Sequence, residues 1–248
     1  MSEKLISLSV IIPAYNEEDC LESGVRTIND FLCDELKDKG FEIILIDDGS
    51  KDRTLEIAEK LEKTIDSVKV LKHKFNMGQG ATLMTGFSVS EGEIVIPFDA
   101  DLSYSAEHIG VLYKEIEETG FDIILASPYA PDGNVQNVPF LRRVLSKYAN
   151  KFLRYAYNRK YYTLTCVVRA YKGDILRDLV LTENGMEINL EILEIAEVLN
   201  LKIGEIPALL QWGSGRKTSG RRSFGNLYKT IKHYMFYGFL MRPSLLFK

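Results

Sequence analysis

Short apolar runs alternate with amphipathic segments over the first 126 residues, and this alternation limits the possible folds more than any other feature of the chain. The apolar runs indicate buried strands, and the segments between them carry apolar residues at helical spacing. Strands that alternate with helices form a parallel sheet that helices cover on both faces. We therefore predict an α/β fold, with strands at 8–13, 41–46, 68–72, 94–98 and 121–126 and helices at 17–39, 51–63, 80–90 and 105–119.

The pattern changes after residue 128. We predict a basic helix at 138–157, an extended segment at 163–171, a helix at 186–199, a strand at 202–212, a loop rich in glycine, serine and arginine at 213–225, and a last helix at 226–241. The sequence contains neither a repeat nor a stretch with the composition of a disordered linker. The expected organisation is one domain over residues 1–225, followed by a C-terminal amphipathic helix within 226–248.

Three polar clusters follow the ends of predicted strands. They are Pro13-Ala14-Tyr15-Asn16-Glu17, Asp47-Asp48-Gly49-Ser50 and Asp99-Ala100-Asp101. Ligand sites in open α/β sheets lie beyond the carboxyl ends of the strands, which is where these clusters fall. We therefore expect the three clusters to form one site. Ser50 is also the expected N-cap of the helix at 51–63.

The pair Asp99 and Asp101 has the chemistry of a divalent-cation site. Two carboxylates separated by one small residue can be brought to the same side of a turn, and their hard oxygen atoms suit Mg²⁺ or Mn²⁺. A cation held there can stabilise the charge on a departing diphosphate. The alternative for an isolated Asp-x-Asp is that one aspartate only caps the helix that starts near Ser105.

Positive charge is concentrated in two segments, although the formal net charge of the chain is −4. Residues 133–173 contain nine basic residues and no acidic one, and residues 206–248 contain eight and again none. Segments this one-sided indicate an anionic partner, such as a phosphate, a lipid headgroup or a nucleic acid. No recognised nucleic-acid module accompanies them, so we do not expect nucleic-acid binding. The three cysteines lack paired or metal-ligand spacing, which favours a cytosolic compartment.

Four motifs occur in a characteristic order, namely VIIPAYNEE at 10–18, ILIDDGSKDRT at 44–54, NMGQGA at 76–81 and DADL at 99–102. Together they closely resemble family 2 glycosyltransferases of the GT-A fold, and within that family the dolichyl-phosphate-mannose and polyprenyl-phosphate-glucose synthase group. The resemblance implies an inverting enzyme, dependent on Mg²⁺ or Mn²⁺, that moves a sugar from a nucleoside diphosphate sugar to a polyprenyl or dolichyl phosphate. Mannose-transferring members usually have a glutamine where this chain has Ser103, so a UDP-sugar is slightly favoured over GDP-mannose.

The resemblance also implies roles for individual residues. Asp99 and Asp101 are the expected metal and diphosphate ligands, and Asp101 is a candidate catalytic residue. Asp47 or Asp48 would accept hydrogen bonds from the base or the ribose, although Asp48 also suits a tight turn. The expected contacts to the nucleotide sugar are Pro13, Tyr15, Glu17, Asp47, Asp48, Asp99 and Arg216.

Arginines are the expected contacts of the acceptor phosphate, because a planar guanidinium can bind phosphate through two hydrogen bonds. The candidates are Arg142, Arg143 and Arg169, and Arg169 is also a candidate catalytic residue. A solvated surface charge is the alternative for each. The motifs show no clear general base, and a lipid phosphate does not need one because it is already an anion at neutral pH. The last helix is expected to lie on the cytoplasmic face of a membrane or to pack against protein.

Two other functions fit the same motifs. A family 2 glycosyltransferase could use the hydroxyl group of a soluble glycan or a small molecule as acceptor, in which case an acidic general base over the sugar is expected. A protein of this fold could also be a non-catalytic adaptor that binds a nucleotide or a lipid surface. Replacing Asp99 with alanine separates the adaptor from the enzyme. If transfer or donor binding is detected and this change leaves both untouched, the predicted metal role of Asp99 is wrong.

Overall fold

The structure is a computed structural model that describes residues 5–37, 39–156 and 160–212. Its strands are β1 (Ile6–Ala14), β2 (Gly40–Asp47), β3 (Val68–Lys72), β4 (Ile94–Pro97), β5 (Ile123–Ser127), β6 (Asn134–Gln136), β7 (Arg169–Lys172), β8 (Ile203–Pro207) and β9 (Leu209–Gln211). Its helices are α1 (Leu21–Glu35), α2 (Thr54–Thr64), α3 (Gln79–Val89), α4 (Glu107–Thr119), α5 (Phe140–Ala156), α6 (Gly173–Asp178) and α7 (Ile188–Val198). The predictions for 213–225, for 226–241 and for Arg216 lie outside the described residues.

Seven of these strands form one sheet in the order β3-β2-β1-β4-β7-β5-β8. All neighbouring pairs are parallel except those that involve β7, which runs antiparallel to both β4 and β5. The prediction of an α/β fold with a mostly parallel sheet is therefore confirmed. The remaining two strands, β6 and β9, pair in a small separate sheet.

The core lies on both faces of the sheet, as the unbroken apolar strands predicted. On one face, Val10 and Ile12 of β1 pack with Ile28 of α1 in a buried cluster that also includes residues of α2 and α4. On the other face, Ile11 packs with Leu83 of α3 in a cluster that includes residues of α6 and α7. Successive residues of β1 thus point to opposite faces, and each face finds a helical layer.

The sheet order creates a crevice between β1 and β4. From β1 the chain passes outward through β2 and β3 on one side, and β4 then returns to the other side of β1. The Phe98 amide donates to Ile11 O (2.8 Å) and the Asp48 amide donates to Ala14 O (2.8 Å), so the ends of β4 and β2 flank the end of β1. In open α/β sheets such a switch point is where ligands bind.

Some predicted boundaries are wrong, and tertiary contacts explain why. The first helix begins at Leu21 rather than residue 17, because Asn16 adopts a left-handed φ of 55° and the Glu17 amide donates to Thr54 Oγ1 (2.8 Å). Only the end of the predicted extended segment 163–171 is a strand, since the Leu164 amide bonds to Asn150 Oδ1 (2.8 Å) instead of a neighbouring strand. The predicted strand 202–212 is divided between β8 and β9, which belong to different sheets.

Ser50 is not the N-cap of α2. The helix begins at Thr54, and Asp52 Oδ1 accepts a hydrogen bond from the Thr54 amide (3.0 Å). Ser50 Oγ instead accepts a hydrogen bond from the Asn16 amide (3.0 Å). The serine therefore connects the loops that follow β1 and β2. Across the described ranges, none of the helices is both long enough and apolar enough to span a bilayer.

Candidate functional site

The loops after β1 and β2 are joined by reciprocal hydrogen bonds at the carboxyl edge of the sheet. The Asn16 amide donates to Ser50 Oγ, and the Lys51 amide donates to Asn16 Oδ1 (2.8 Å). Asn16 needs its left-handed backbone to reach both partners, and asparagine tolerates that conformation better than most residues. The predicted nucleotide contacts Pro13, Tyr15 and Glu17 are half-buried along this edge.

Asp48 is buried, and both of its carboxylate oxygens have partners within the protein. Oδ1 accepts from the Met77 amide (2.8 Å) and contacts His73 Nδ1 (2.8 Å), and Oδ2 accepts from the Gly78 amide (2.9 Å). His73 Nε2 in turn contacts Thr85 Oγ1 at 2.9 Å. Asp48 thus holds the loop between β3 and α3 against the end of β2. His73 was not predicted to take part, because a lone histidine in the sequence carries no such signal.

Asp47 differs from its neighbour in having one oxygen without a partner. Asp47 Oδ2 accepts from the Ser50 amide (3.1 Å), whereas Oδ1 is buried and has no hydrogen-bond partner among the described residues. Buried polar atoms are almost always hydrogen-bonded, so an orphaned carboxylate oxygen calls for an explanation. A ligand that donates a hydrogen bond at this position would supply the missing partner. Of the two aspartates, Asp47 is therefore the one with a free acceptor.

Residues 99–102 form the Asp-x-Asp turn at the end of β4. Asp99 and Asp101 are half-buried, and Asp101 Oδ1 accepts from the Ser103 amide at 2.8 Å. Leu102 has a φ of 52°, which is uncommon for a residue with a bulky side chain. Strained backbone of this kind concentrates at ligand sites, where the surrounding structure enforces it. The turn therefore has the geometry expected of a functional segment.

Gly24 of helix α1 packs against this turn, and the sequence did not predict that contact. A Cβ atom added to Gly24 would lie 1.8 Å from the carbonyl oxygen of Ala100, which is far inside any real contact distance. The absence of a side chain at Gly24 therefore allows α1 to pack directly on the backbone of the Asp-x-Asp turn. A glycine inside a predicted helix was the only signal, and it did not show what the glycine faces.

The residues of the Asp-x-Asp turn fit a divalent cation. Within the described ranges, no group of three or more histidines, cysteines, aspartates and glutamates could hold a metal ion. Two carboxylates nevertheless match the usual protein contribution to a Mg²⁺ site, in which phosphate oxygens and water complete the coordination. Asp99 and Asp101 are thus suited to a metal that arrives with a phosphorylated ligand rather than one that is resident in a closed cage.

Tyr104 and Cys166 are buried, lie within the electrostatic influence of Asp99, and remain neutral. The Cys166 thiol donates to Tyr104 Oη (3.3 Å). Burial raises the pKa of Tyr104 well above its usual range, and the negative charge of Asp99 raises it further. Burial likewise raises the pKa of Cys166, although the hydrogen bond to Tyr104 and the charge of Arg169 oppose this. The negative charge that would attract a cation to the Asp-x-Asp turn therefore comes from Asp99 and Asp101.

The segment 209–212, which we call the strap, connects the Asp-x-Asp turn with α5. The Gln211 amide donates to Ser103 O (2.8 Å), and the Leu209 amide donates to His108 Nε2 (3.1 Å). The guanidinium of Arg142, on α5, lies 4.2 Å from the centre of the Trp212 ring. The predicted acceptor residue Arg142 is thus linked to the predicted metal site. Its neighbour Arg143 is exposed on the same helix.

Arg169, the third predicted acceptor residue, lies in the interior of the protein. It is fully buried at the start of β7, where Nη1 donates to Asn189 O (2.8 Å) and Nη2 donates to Leu164 O (2.7 Å). These bonds use the guanidinium to connect β7 with α7 and with the segment before β7. A group in this position supports the protein around the site and does not face solvent. Its Nε is buried and has no hydrogen-bond partner among the described residues, so contact with an acceptor phosphate stays a prediction.

Comparisons with known proteins agree with the motifs and the fold. Residues 9–180 match the sequence profile of the family described as glycosyl transferase family 2. The chain is 36% identical over 171 residues to an undecaprenyl-phosphate 4-deoxy-4-formamido-L-arabinose transferase of Pseudomonas fluorescens, a match that covers 68% of this chain and 48% of that protein. It is 30% identical over 227 residues to a dolichyl-phosphate beta-glucosyltransferase of Trichomonas vaginalis, covering 87% of this chain and 69% of that one. The chain thus spans about half the length of the first of these relatives.

A solved structure shows the same fold. Glucosyl-3-phosphoglycerate synthase from Mycobacterium tuberculosis, crystallised with Mn²⁺, uridine diphosphate and phosphoglyceric acid, superposes with a TM-score of 0.69. The superposition covers 94% of this chain and 78% of that one at 19% sequence identity. The predicted GT-A fold is therefore confirmed. Because the family profile covers more than two thirds of the sequence and its motifs meet at one edge of the sheet, the chain belongs to glycosyl transferase family 2.

Proposed function

We propose that the protein is an inverting, metal-dependent glycosyltransferase that moves a sugar from a nucleoside diphosphate sugar to a polyprenyl phosphate. The observation that carries this proposal is the position of the Asp-x-Asp turn, which lies at the switch point of the sheet beside the loops that follow β1 and β2. The names of the two relatives support the acceptor, because one is an undecaprenyl-phosphate transferase and the other a dolichyl-phosphate glucosyltransferase.

The donor half of the site would be built from the ends of β1, β2 and β4. Asp99 and Asp101 would hold Mg²⁺ or Mn²⁺, and the cation would supply stabilisation of the negative charge on the leaving diphosphate. The orphaned Oδ1 of Asp47 would accept a hydrogen bond from the base or the ribose. Asp48 would act indirectly, by holding the loop between β3 and α3. The half-buried residues Pro13, Tyr15 and Glu17 would complete the nucleoside pocket, and Arg216 is proposed to close over the diphosphate.

The acceptor half needs cations rather than a base. A lipid monophosphate is already an anion near neutral pH, so no proton has to be removed before it attacks. In the proposed step a phosphate oxygen forms a bond to the anomeric carbon while the bond from that carbon to the diphosphate breaks, and the electron pair leaves with the diphosphate. The attack comes from the opposite side, which inverts the anomeric configuration. Arg142 and Arg143 would orient the acceptor, and Arg169 would support them from the interior.

Two finer points belong to the same proposal. A UDP-sugar is slightly favoured as donor, because Ser103 replaces the glutamine that mannose-transferring members usually carry. We expect the transfer to take place at the cytoplasmic face of a membrane, because the proposed acceptor is a lipid. The proposed division into a domain over 1–225 and a membrane-surface helix within 226–248 stays a prediction.

The experiment is a panel of radiolabelled nucleotide sugars incubated with the full chain, a polyprenyl phosphate and either Mg²⁺ or Mn²⁺. We expect label in an organic-extractable product, loss of that product in EDTA, and loss in Asp99→Ala and Asp101→Asn. The matched control is Asp66→Ala, an exposed aspartate that precedes β3 at the opposite edge of the sheet.

Three results would contradict the proposal. Product found only in the aqueous phase would favour a soluble hydroxyl acceptor. Transfer that continues unchanged in Asp99→Ala would exclude the metal role of this turn. Tight donor binding without transfer to any acceptor class would favour the non-catalytic adaptor.

A further inference from the structure

One face of α5 is exposed and carries large apolar side chains. Phe140, Tyr148 and Tyr155 are 73%, 63% and 87% exposed, and Leu141 and Phe152 add further exposed apolar surface. Their spacing along the helix brings all five to one side, which we call the exposed α5 face. Several large apolar side chains exposed on one side of a helix commonly mark a binding surface.

The opposite side of α5 determines how the helix is oriented. Asn150 and Leu153 are 2% and 1% exposed, and Asn150 Oδ1 accepts a hydrogen bond from the Leu164 amide (2.8 Å). Near the two ends of the helix, Arg142 stacks on Trp212 and the Arg154 guanidinium lies 4.4 Å from the centre of the Tyr162 ring. These contacts hold the helix from its inner side, so the aromatic residues of the exposed α5 face cannot rotate into the core.

Cations accompany the aromatic residues on this surface. Lys147 and Lys151 lie among them and Arg143 lies at their edge, and all three are exposed. The segment 133–173 has nine basic residues and no acidic one, although the whole chain has a formal net charge of −4. This segment is one of the two in which the positive charge of the chain is concentrated, and its partner is expected to be anionic.

We propose that the exposed α5 face docks on a bilayer that contains anionic phospholipids. Helices that lie in the headgroup layer combine aromatic and aliphatic residues on one face with lysine and arginine nearby, as α5 does. Lysine side chains can keep their ammonium groups among the phosphates while their aliphatic stems cover apolar surface. Each cation near an anionic leaflet adds to the attraction.

Other partners fit this surface less well. A symmetric dimer through the exposed α5 face would bring Lys147 and Lys151 of one copy opposite the same residues of the other, because a two-fold interface pairs a patch with itself. Like charges in that position oppose association. A soluble polyanion would engage the cations but would leave Phe140 and Tyr155 without a role. A lipid surface explains both groups of residues.

The position of α5 connects this surface to the proposed active site. Arg142 joins the inner side of α5 to the strap through Trp212, and the strap bonds to Ser103 beside the Asp-x-Asp turn. Docking of the exposed α5 face would therefore bring a bilayer close to the site that we propose acts on a lipid phosphate. The purpose of docking rests on that proposed function, but binding to vesicles requires neither donor nor metal.

The test is co-sedimentation of the full chain with vesicles of phosphatidylcholine, with and without phosphatidylglycerol, in the absence of nucleotide sugar. We expect binding that depends on phosphatidylglycerol and weakens with salt. Lys147→Gln with Lys151→Gln should lower the partition coefficient about thirty-fold, because two cations are lost from the surface. Phe140→Ser with Tyr155→Ser should lower it about ten-fold or more.

Matched controls use exposed residues outside α5. Lys63→Gln with Lys37→Gln removes two cations, and Val111→Ser with Val198→Ser removes two exposed apolar side chains. Both should bind as the unchanged chain does. Thermal unfolding of each variant shows whether it is folded.

Three outcomes would overturn the inference. Unchanged vesicle binding in both α5 variants would assign docking to another part of the chain. A dimer that dissociates in Phe140→Ser with Tyr155→Ser would make the face a protein interface. Lysine-dependent binding to soluble inositol hexakisphosphate, with no effect of the apolar pair on vesicle binding, would make it a polyanion site. If vesicle binding fails while transfer to polyprenyl phosphate succeeds, only the docking surface is wrong and the proposed function stands.

Discussion

Gly24 on α1 offers a direct test of how the Asp-x-Asp turn is held in place. In Gly24→Ala the new methyl group would start 1.8 Å from the carbonyl oxygen of Ala100, and real contacts of this kind are essentially never below 3.0 Å. The backbone at Ala100 must therefore move by more than about 1 Å, or α1 must move away from the sheet by a similar distance. Either movement displaces Asp99 and Asp101 relative to the ends of β1 and β2.

Two opposing contributions decide how Gly24→Ala changes the free energy of unfolding. Alanine is favoured over glycine within a helix by about 1 kcal/mol, whereas overpacking a buried contact costs about 1–3 kcal/mol. Because the contact is with backbone, we expect the upper part of that cost and a net loss of about 1–2 kcal/mol, which lowers Tm by about 5 °C for a chain of this size. A displacement of about 1 Å at the reacting groups can lower the rate of transfer about 100-fold.

The assay measures Mn²⁺ affinity and transfer rate in Gly24→Ala, with Gly110→Ala as the matched control. Gly110 also lies in a helix, but its added methyl group would meet side chains rather than backbone, namely the end of the Phe31 ring at 2.9 Å and Glu35 Cγ at 3.8 Å, and not the Asp-x-Asp turn. The control should keep both metal affinity and rate. If Gly24→Ala is folded and equals the control in both measurements, then α1 does not position the turn and the reasoning fails.

Three further predictions concern groups outside this contact. Asp122→Asn should lose about 2 kcal/mol of unfolding free energy at neutral pH, because Asp122 binds Lys172 Nζ at 2.8 Å and the Lys202 amide. Burial raises the pKa of Asp122, but these partners outweigh burial and lower it overall, so the difference from the unchanged chain, measured by urea unfolding, should shrink as the pH falls below about 4. The fluorescence of Trp212, which is the single tryptophan of the chain, should change on addition of Mg²⁺ with UDP and should not change in Asp101→Asn. The Cys166 thiol should resist alkylation until the chain unfolds, because it is buried and burial raises its pKa.

Each of these predictions has an outcome that contradicts it. A stability difference for Asp122→Asn that persists unchanged at acid pH would mean that the charge of the carboxylate is not what stabilises the fold. A Trp212 signal that survives in Asp101→Asn would separate the strap from the metal site. Rapid alkylation of Cys166 in the native protein would show that the interior around Tyr104 and Cys166 opens to solvent.

Much of the fold could be predicted because it depends on local patterns. The strands of the first 126 residues and the helices between them were located within a few residues, since burial on both faces of a parallel sheet leaves continuous apolar runs. The meeting of the polar clusters at one edge followed from the rule that parallel strands share a carboxyl edge. Strand β7 broke the pattern, because its antiparallel insertion between β4 and β5 depends on pairing far along the chain.

The roles of single residues were harder to predict than their location. Asp47 and Asp48 are adjacent and chemically identical, yet one is bonded within the protein on both oxygens and the other keeps an orphaned one. Arg169 has the residue type expected of a phosphate contact, but it is buried against backbone carbonyls. Residue type shows what a side chain can do, whereas its partners depend on the packing of segments that are distant in sequence.

The sequence by itself determined the fold class, the family and the edge of the sheet where the site lies, because periodicity and motif order are local properties that survive without coordinates. Only the tertiary structure decided which oxygen is free to accept a ligand, that Gly24 packs on the Asp-x-Asp turn, and which side of α5 remains exposed. Those features depend on distances between segments that the chain brings together on folding, and no local pattern of residues encodes such distances.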